Sequence, residues 1–280
     1  MEHFLLLAIG WQQTIFSLTM PRVALELAVT SQLASLQTAE VHIWAVRILS
    51  DGGCIDALYR TLSPDEQQRA RSFRFDEHRN DYIAARGLLR AILAGYTGQP
   101  AEAIRFQYGP RGKPYLQDPE NRRLQFNLSH SEHCAVYAVV QDCELGVDVE
   151  RIKELPDMDS VARRFFSHAE VADLQTVRSE LHTLAFYNCW TRKEAYIKAV
   201  GSGLSLPLDQ FRVSLLPGQP AALLSLQDDA DSASRWSVHE LRLWHGFVGA
   251  LAIPLPSCSL TERKFLNAAE CLKQLRDAFL

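Results

Sequence analysis

The sequence predicts an α+β fold built as two similar α/β lobes, and three observations carry that expectation. Hydrophobic residues make up 47% of the 280 and charged residues 22%, a balance that can bury a substantial core and gives no reason to expect long disorder. Blocks of strand-like and helix-like periodicity follow one another as strand, helices, strands, helices, strands, helix. No low-complexity linker divides the chain, so lobes joined near residue 145 would pack closely enough to share a cleft. The divisions expected are an N-terminal extension over 1–39, a first lobe over 40–144 and a second lobe over 145–280 that carries the C-terminal helix.

In chain order, the first twenty residues are apolar, but Gln12 and Gln13 interrupt the run and no basic residues precede it, so neither a secretory signal nor a spanning helix is expected. Met20 offers a second start, which would make residues 1–19 an upstream extension. Residues 41–49, VHIWAVRIL, are β-branched and aromatic enough for a first strand. A helix start follows: Ser63 caps, Pro64 suits the first helical position, and Glu66 completes a capping box. Tyr82, Ala85, Leu89, Ile92 and Tyr96 then recur at helical spacing over 76–96, until Gly98 and Pro100 end the run. Three short apolar runs, 124–129, 134–140 and 145–150, read as an antiparallel meander.

Helices return after Pro156, with a second capping box at Ser167 and Glu170 and a long helix over 179–200 closed by Gly201. Four further strands are expected at 211–216, 221–226, 236–243 and 247–253. A helix over 261–279 would place Phe265, Ala269, Leu272 and Leu275 on one apolar stripe.

A net charge of -4 argues against non-specific attraction to nucleic acid or anionic membranes, while a local basic patch could still hold a phosphorylated small molecule. Six cysteines are scattered without a C-x-x-C pair, which disfavours a zinc knuckle and suits a reducing cytoplasm.

The chemistry concentrates in a few places. In ELGVDVE (144–150) strand alternation puts Asp148 and Glu150 on one face and Val147 and Val149 on the other. Two such carboxylates side by side repel each other and call for a cation, a hard divalent ion above all, unless they end in solvent and pair with Arg151 and Lys153. In WTRKEAYIK (190–198) helical spacing puts Trp190, Glu194 and Lys198 on one face with Lys193 adjacent, either as an ordinary Glu-to-Lys pair or as a further ligand and a phosphate contact. FNLSHS (126–131) places Ser129 and His130 at a strand end, and YGPRGKPYL (108–116) is a Gly/Pro loop presenting Arg111 and Lys113.

Taken together and in this order, FNLSHS, GVDVE and WTRKEAYIKAVGSGLSLPLDQF resemble the signature of the Sfp-type 4'-phosphopantetheinyl transferases. The resemblance covers about residues 108–211 well and 63–96 more loosely. It implies a pseudo-twofold pair of lobes in one monomeric chain, with coenzyme A in the cleft and transfer of its phosphopantetheine arm to a serine of an apo acyl, peptidyl or aryl carrier protein. It also implies Mg²⁺ on Asp148, Glu150 and Glu194. Lys193 and Lys198 would belong to the lysine motif, with Lys198 on the phosphates. Ser129, His130 and Lys113 would contact the nucleotide, His130 at its 3'-phosphate. Where some members carry basic residues after the helix start this chain has Glu66 and Gln67, so Arg79 and Arg86 become the candidates for the 3'-phosphate. Glu194, Lys198 and Asp148 are the expected catalytic residues. A Mg²⁺-dependent phosphohydrolase and a non-catalytic coenzyme A binder are the rival readings of the same acids.

Overall fold

The computed structural model describes residues 36–48, 52–203, 206–227 and 229–277. The expectations for residues 1–35, including a start at Met20, lie outside them. In order the elements are β1 (Glu40–Arg47), α1 (Gly52–Thr61), α2 (Pro64–Arg71), α3 (Asp76–Thr97), β2 (Phe106–Tyr108), β3 (Pro114–Leu116), β4 (Leu124–Ser131), β5 (Cys134–Gln141) and β6 (Gly146–Arg151). Then come α4 (Met158–Phe165), α5 (His168–Gln175), α6 (Ser179–Val200), β7 (Phe211–Val213), β8 (Leu223–Leu226), α7 (Ala230–Ala233), β9 (Ser237–Glu240), β10 (Phe247–Ile253), β11 (Ser259–Phe265) and α8 (Ala268–Asp277).

Two sheets, ordered β11-β1-β5-β4 and β6-β10-β9, stack with helices on their outer faces. Strand alternation assigns each side chain to a layer. In β1, Trp44 and Val46 face a core shared with α1, α3 and α8, while Val41, Ile43 and Ala45 face a middle core shared with Val147, Val149, Leu251 and Ile253 of the second sheet. β5 divides in the same way: Ala135, Tyr137 and Val139 point outward and Val136, Ala138 and Val140 inward. Strands covered on both faces need apolar residues at every position, which is why 134–140 reads as one continuous hydrophobic run.

The long helix α6 packs its apolar side on β6 and β10, where Val248, Ala250 and Ala252 meet Ala185, Cys189 and Ala195 in a third core. Small residues let the two elements approach closely. At Gly146 a Cβ would lie 2.1 Å from the Ala195 carbonyl oxygen and 2.3 Å from the Ala199 nitrogen. Backbone is thus packed directly on backbone where β6 begins.

Several expectations are corrected. Residues 145–150 do not continue a meander: β6 leaves the first sheet and pairs antiparallel with β10. Residues 259–265 form a strand parallel to β1, with Phe265 opposite Val46, so the C-terminal helix is confined to α8. Thr261, Glu262, Arg263 and Lys264 hide this strand because it lies at a half-exposed edge, where tertiary pairing overrides weak local preference. As a result β11 and α8 ride on the first lobe, where Leu272 and Leu275 join its core, and the second lobe does not keep the whole of 145–280. The segment read as a Gly/Pro loop at 108–116 is a hairpin of β2 and β3, and α1 is a helix that the sequence reading did not include.

Candidate active site

The seam between the lobes is closed by polar side chains. Along β4, alternate residues project the same way, and Asn127, Ser129 and Ser131 each reach across to β6. The Asn127 Oδ1 accepts from the Val147 amide at 2.9 Å, the Ser129 hydroxyl donates to Asp148 Oδ1 at 2.9 Å, and the Ser131 hydroxyl donates to Glu150 Oε2 at 2.8 Å. Ser131 also accepts from the Arg151 amide. These rungs replace a backbone ladder and fix the height of both acids.

Because Val147 and Val149 fill the middle core, Asp148 and Glu150 face the other way, toward α6. Lys198, on the last turn of that helix, donates to Asp148 Oδ1 at 2.6 Å and to the Ser129 hydroxyl at 2.9 Å. Glu194 lies one turn earlier on the same face. Gly201 then caps α6 in the left-handed region (φ 70°), a conformation suited to glycine that turns the chain along the cleft. A cavity of about 270 Å³ opens beside Glu194 and Lys198, with Arg111, Lys113, Asn127 and Gly203 in its walls.

Electrostatics link the three acids. Burial pushes the Asp148 carboxyl upward, against the pull of Lys198 and Ser129. Glu194 is raised by burial and then by the negative charge of Asp148, with Glu150 adding to it. Glu150 is likewise raised by burial and by Asp148, while its bond from Ser131 acts in the opposite sense. Asp148 is only 4% exposed, and its Oδ2 is buried without a hydrogen-bond partner. An orphaned carboxylate oxygen amid mutually repelling acids is a setting that a hard cation relieves. Even so, among the described residues no three carboxylate, imidazole or thiol groups stand as a ready-made metal cage. Lys198 takes the oxygen of Asp148 that does have partners.

Not every expected residue reaches this cleft. The Lys193 ammonium is fully buried and satisfied by Glu170 at 2.8 Å and by the carbonyls of Leu208 and Phe211 at 2.7 and 2.6 Å. Helical geometry explains the correction: one residue from Glu194 is a turn of about 100°, which points Lys193 into the second lobe. Lys113 does stand in the cavity wall and is half-buried, but its ammonium is already bound by Glu144 and by the carbonyls of Leu145 and Ala199. Arg79 pairs with Asp76 at 2.9 Å near the start of α3, and Arg86 is held by Glu66 at 2.9 Å and the Tyr108 hydroxyl at 2.8 Å; neither lines the cavity. The His130 side chain reaches the surface at the strand end, but its ring sits near Lys198; lost solvation and then that charge lower its pKa, with Asp81 opposing. Nearby aromatic residues do not supply the cleft either: Phe166 and Tyr196 are buried in the third core, and Phe165 packs edge-on against Trp190.

Asn127 and Ser131 were not among the expected site residues. The signal was present in N-L-S-H-S, three polar residues at period two on one strand, but their partners on β6 could be found only once the lobes were stacked.

The buried pair beneath the site yields a stability prediction. Lys193→Met leaves the Glu170 carboxylate buried without its countercharge, which is expected to cost about 3–5 kcal/mol in urea unfolding. Lys193→Met combined with Glu170→Gln is expected to recover part of that loss. Additive losses would show that the two do not act as a pair.

Paired acids and a lysine between two α+β lobes, beside a cavity, suit chemistry on a phosphate-bearing substrate. Comparison with known proteins narrows this class. The family profile described as "4'-phosphopantetheinyl transferase superfamily" matches residues 144–252, and that described as "4'-phosphopantetheinyl transferase, N-terminal" matches residues 54–142. The chain is 38% identical over 220 residues to the 4'-phosphopantetheinyl transferase HetI of Nostoc, covering 78% of this chain and 90% of that one. It is 34% identical over 154 residues to the 4'-phosphopantetheinyl transferase Sfp of Bacillus subtilis, covering 55% and 66%. With the human L-aminoadipate-semialdehyde dehydrogenase-phosphopantetheinyl transferase the identity is 29% over 215 residues, covering 71% and 69%. The chain belongs to the 4'-phosphopantetheinyl transferase superfamily, as a member of its Sfp type. It is an enzyme that transfers the phosphopantetheine arm of coenzyme A to carrier proteins. Among the described residues no helix is long and apolar enough to cross a membrane.

Proposed function

We propose that the seam between β4, β6 and α6 is the transfer site, with Mg²⁺ held by Asp148, Glu150 and Glu194, adenosine 3',5'-bisphosphate as the leaving product and the single chain as the working unit. The observation that carries the reading is the buried, unpartnered Oδ2 of Asp148 beside two further acids raised by burial and by the charge of Asp148. An all-oxygen set of this kind suits Mg²⁺, and when bound the ion would supply neutralising charge to the pyrophosphate oxygens.

The chain's own residues have distinct tasks in this reading. Ser129 and Ser131 hold the carboxylates of Asp148 and Glu150 by donating to them, so the acids need not reorganise as substrate arrives. Lys198 lies at the cavity wall and would bind an anionic phosphate oxygen, exchanging part of its pairing with Asp148 for the ligand. In the reaction the carrier serine oxygen forms a bond to the β-phosphorus, the bond from that phosphorus to the bridging oxygen breaks, and the leaving adenosine bisphosphate takes the electron pair. The serine proton goes to Glu194, the carboxylate that stands in the cavity wall beside Lys198.

Two experiments test this. Incubation with coenzyme A, Mg²⁺ and a panel of apo acyl and peptidyl carriers, read by intact mass, is expected to add one phosphopantetheine to at least one carrier. No mass gain on any of them would overturn the reading. Glu194→Gln is expected to lower kcat by about 10²–10⁴-fold, the range typical of removing a general base, while coenzyme A still binds. Near-normal turnover in that variant would remove Glu194 from the role of base.

A further inference from the structure

We infer that the ligand-facing cation of the YGPRGKPYL turn is Arg111, which binds a phosphate of coenzyme A, whereas Lys113 is a positioning residue that ties the turn to α6. The inference rests on the proposed seating of coenzyme A in the cavity beside Glu194 and Lys198.

Three cations line that cavity, and their surroundings separate them. Lys198 is paired with Asp148 and Ser129. The three donors of the Lys113 ammonium meet three acceptors, the Glu144 carboxylate and the carbonyls of Leu145 and Ala199, so none is left for a ligand. Those acceptors belong to the crossover between β5 and β6 and to the last turn of α6, so Lys113 joins the hairpin to both. Arg111, by contrast, is exposed and has no hydrogen-bond or ion-pair partner among the described residues.

The turn around Arg111 is internally braced. The Gly109 amide donates to the Lys113 carbonyl and the Gly112 amide to the Gly109 carbonyl, both at 2.9 Å, and Gly112 has φ 83°, a region that favours glycine. Across the cavity mouth, a Cβ on Gly203 would lie 3.6 Å from the Arg111 Cβ, so the turn abuts the segment that follows α6. A guanidinium held there presents a planar fork of donors that matches a phosphate, and unlike Lys198 it has no protein anion to release first. The free side chain pays ordering entropy on binding, but its charge is uncompensated until a phosphate arrives. Two phosphate sources exist on the same ligand, the 3'-monoester and the diphosphate.

Calorimetric titration of the full chain with coenzyme A and with 3'-dephospho-coenzyme A tests the assignment, in the unaltered protein and in Arg111→Ala, Lys113→Met and Lys198→Ala. Arg111→Ala is expected to weaken coenzyme A binding about 10–100-fold, as loss of a charged hydrogen bond should, with an unchanged melting temperature and a shallower dependence on salt. Lys113→Met is expected to lower the melting temperature and to change the affinity far less. If the weakening in Arg111→Ala disappears with the dephospho ligand, the contact is to the 3'-phosphate; if it persists, the contact is to the diphosphate, and either result supports the inference. Unaltered affinity in Arg111→Ala while Lys198→Ala weakens binding would overturn this inference alone. Unaltered affinity in both would show instead that coenzyme A does not occupy this cavity.

Discussion

Asp148→Asn is expected to reduce kcat/KM by about 10³-fold or more, equal to about 4 kcal/mol of transition-state stabilisation. The substitution keeps the size of the side chain and an oxygen able to accept from Ser129, so the fold should be retained. What it removes is charge at the point where three acids and one lysine converge. Two consequences should accompany it. The neutral amide relieves repulsion on Glu150 and Glu194, which weakens the case for a divalent ion at the seam. Lys198 also loses its strongest partner and becomes a freer cation beside the cavity. Added Mg²⁺ is therefore expected to raise the melting temperature of the unaltered protein with coenzyme A and to have little effect on the variant. A variant with normal turnover, or with an undiminished response to Mg²⁺, would remove Asp148 from the proposed metal set.

The second large effect is expected at Gly146, and it is mechanical. A methyl group there would stand 2.1 Å from the Ala195 carbonyl oxygen, 2.3 Å from the Ala199 nitrogen and 2.8 Å from the Lys198 carbonyl carbon. All three are backbone atoms of α6, so no rotamer change can make room. Either α6 moves away from β6 or the strand start is displaced, and each separates Glu194 and Lys198 from Asp148 and Glu150. Gly146→Ala should cost about 3 kcal/mol or more of stability, at the upper end of overpacking effects, in denaturant unfolding. Activity measured well below the new midpoint should fall as well, because the surviving folded molecules carry a widened seam. A stable, fully active Gly146→Ala would show that helix and strand can part without harm.

Much of the site was legible one element at a time. Period two was enough to place Asp148 and Glu150 together opposite Val147 and Val149, and period 3.6 to place Glu194 and Lys198 on one helix face. Lys193 shows the limit of that reading. Its motif neighbours face the cleft, but a helix turns about 100° per residue, and the receiving surface under Lys193 is Glu170 with two carbonyls contributed 15 and 18 residues later. Lys113 shows the same limit in a turn: its acceptors lie 31, 32 and 86 residues away, and no local pattern signals them.

At the level of the fold, the continuous apolar runs and the capping box at Ser167 and Glu170, where the Ser167 amide donates to the Glu170 carboxylate at 2.7 Å, were readable because local chemistry decides them. The path of β11 was not. Its charged residues resemble a helix surface, and only the free edge of β1 makes the segment a strand.

By itself, then, the sequence determined which residue types stand on which face of the strands and helices it predicted correctly, such as β6 and α6, since backbone periodicity is fixed before any element meets another. The family resemblance rested on the motifs FNLSHS, GVDVE and WTRKEAYIK in that order, not on the faces. Only the tertiary structure decided which of those faces meet: that Asn127, Ser129 and Ser131 cross from one lobe to brace the acids of the other, that Lys193 and Lys113 are consumed internally, and that β11 and α8 return to the first lobe. These are contacts between residues far apart in sequence, set by packing and charge compensation in the stacked sheets rather than by local spacing.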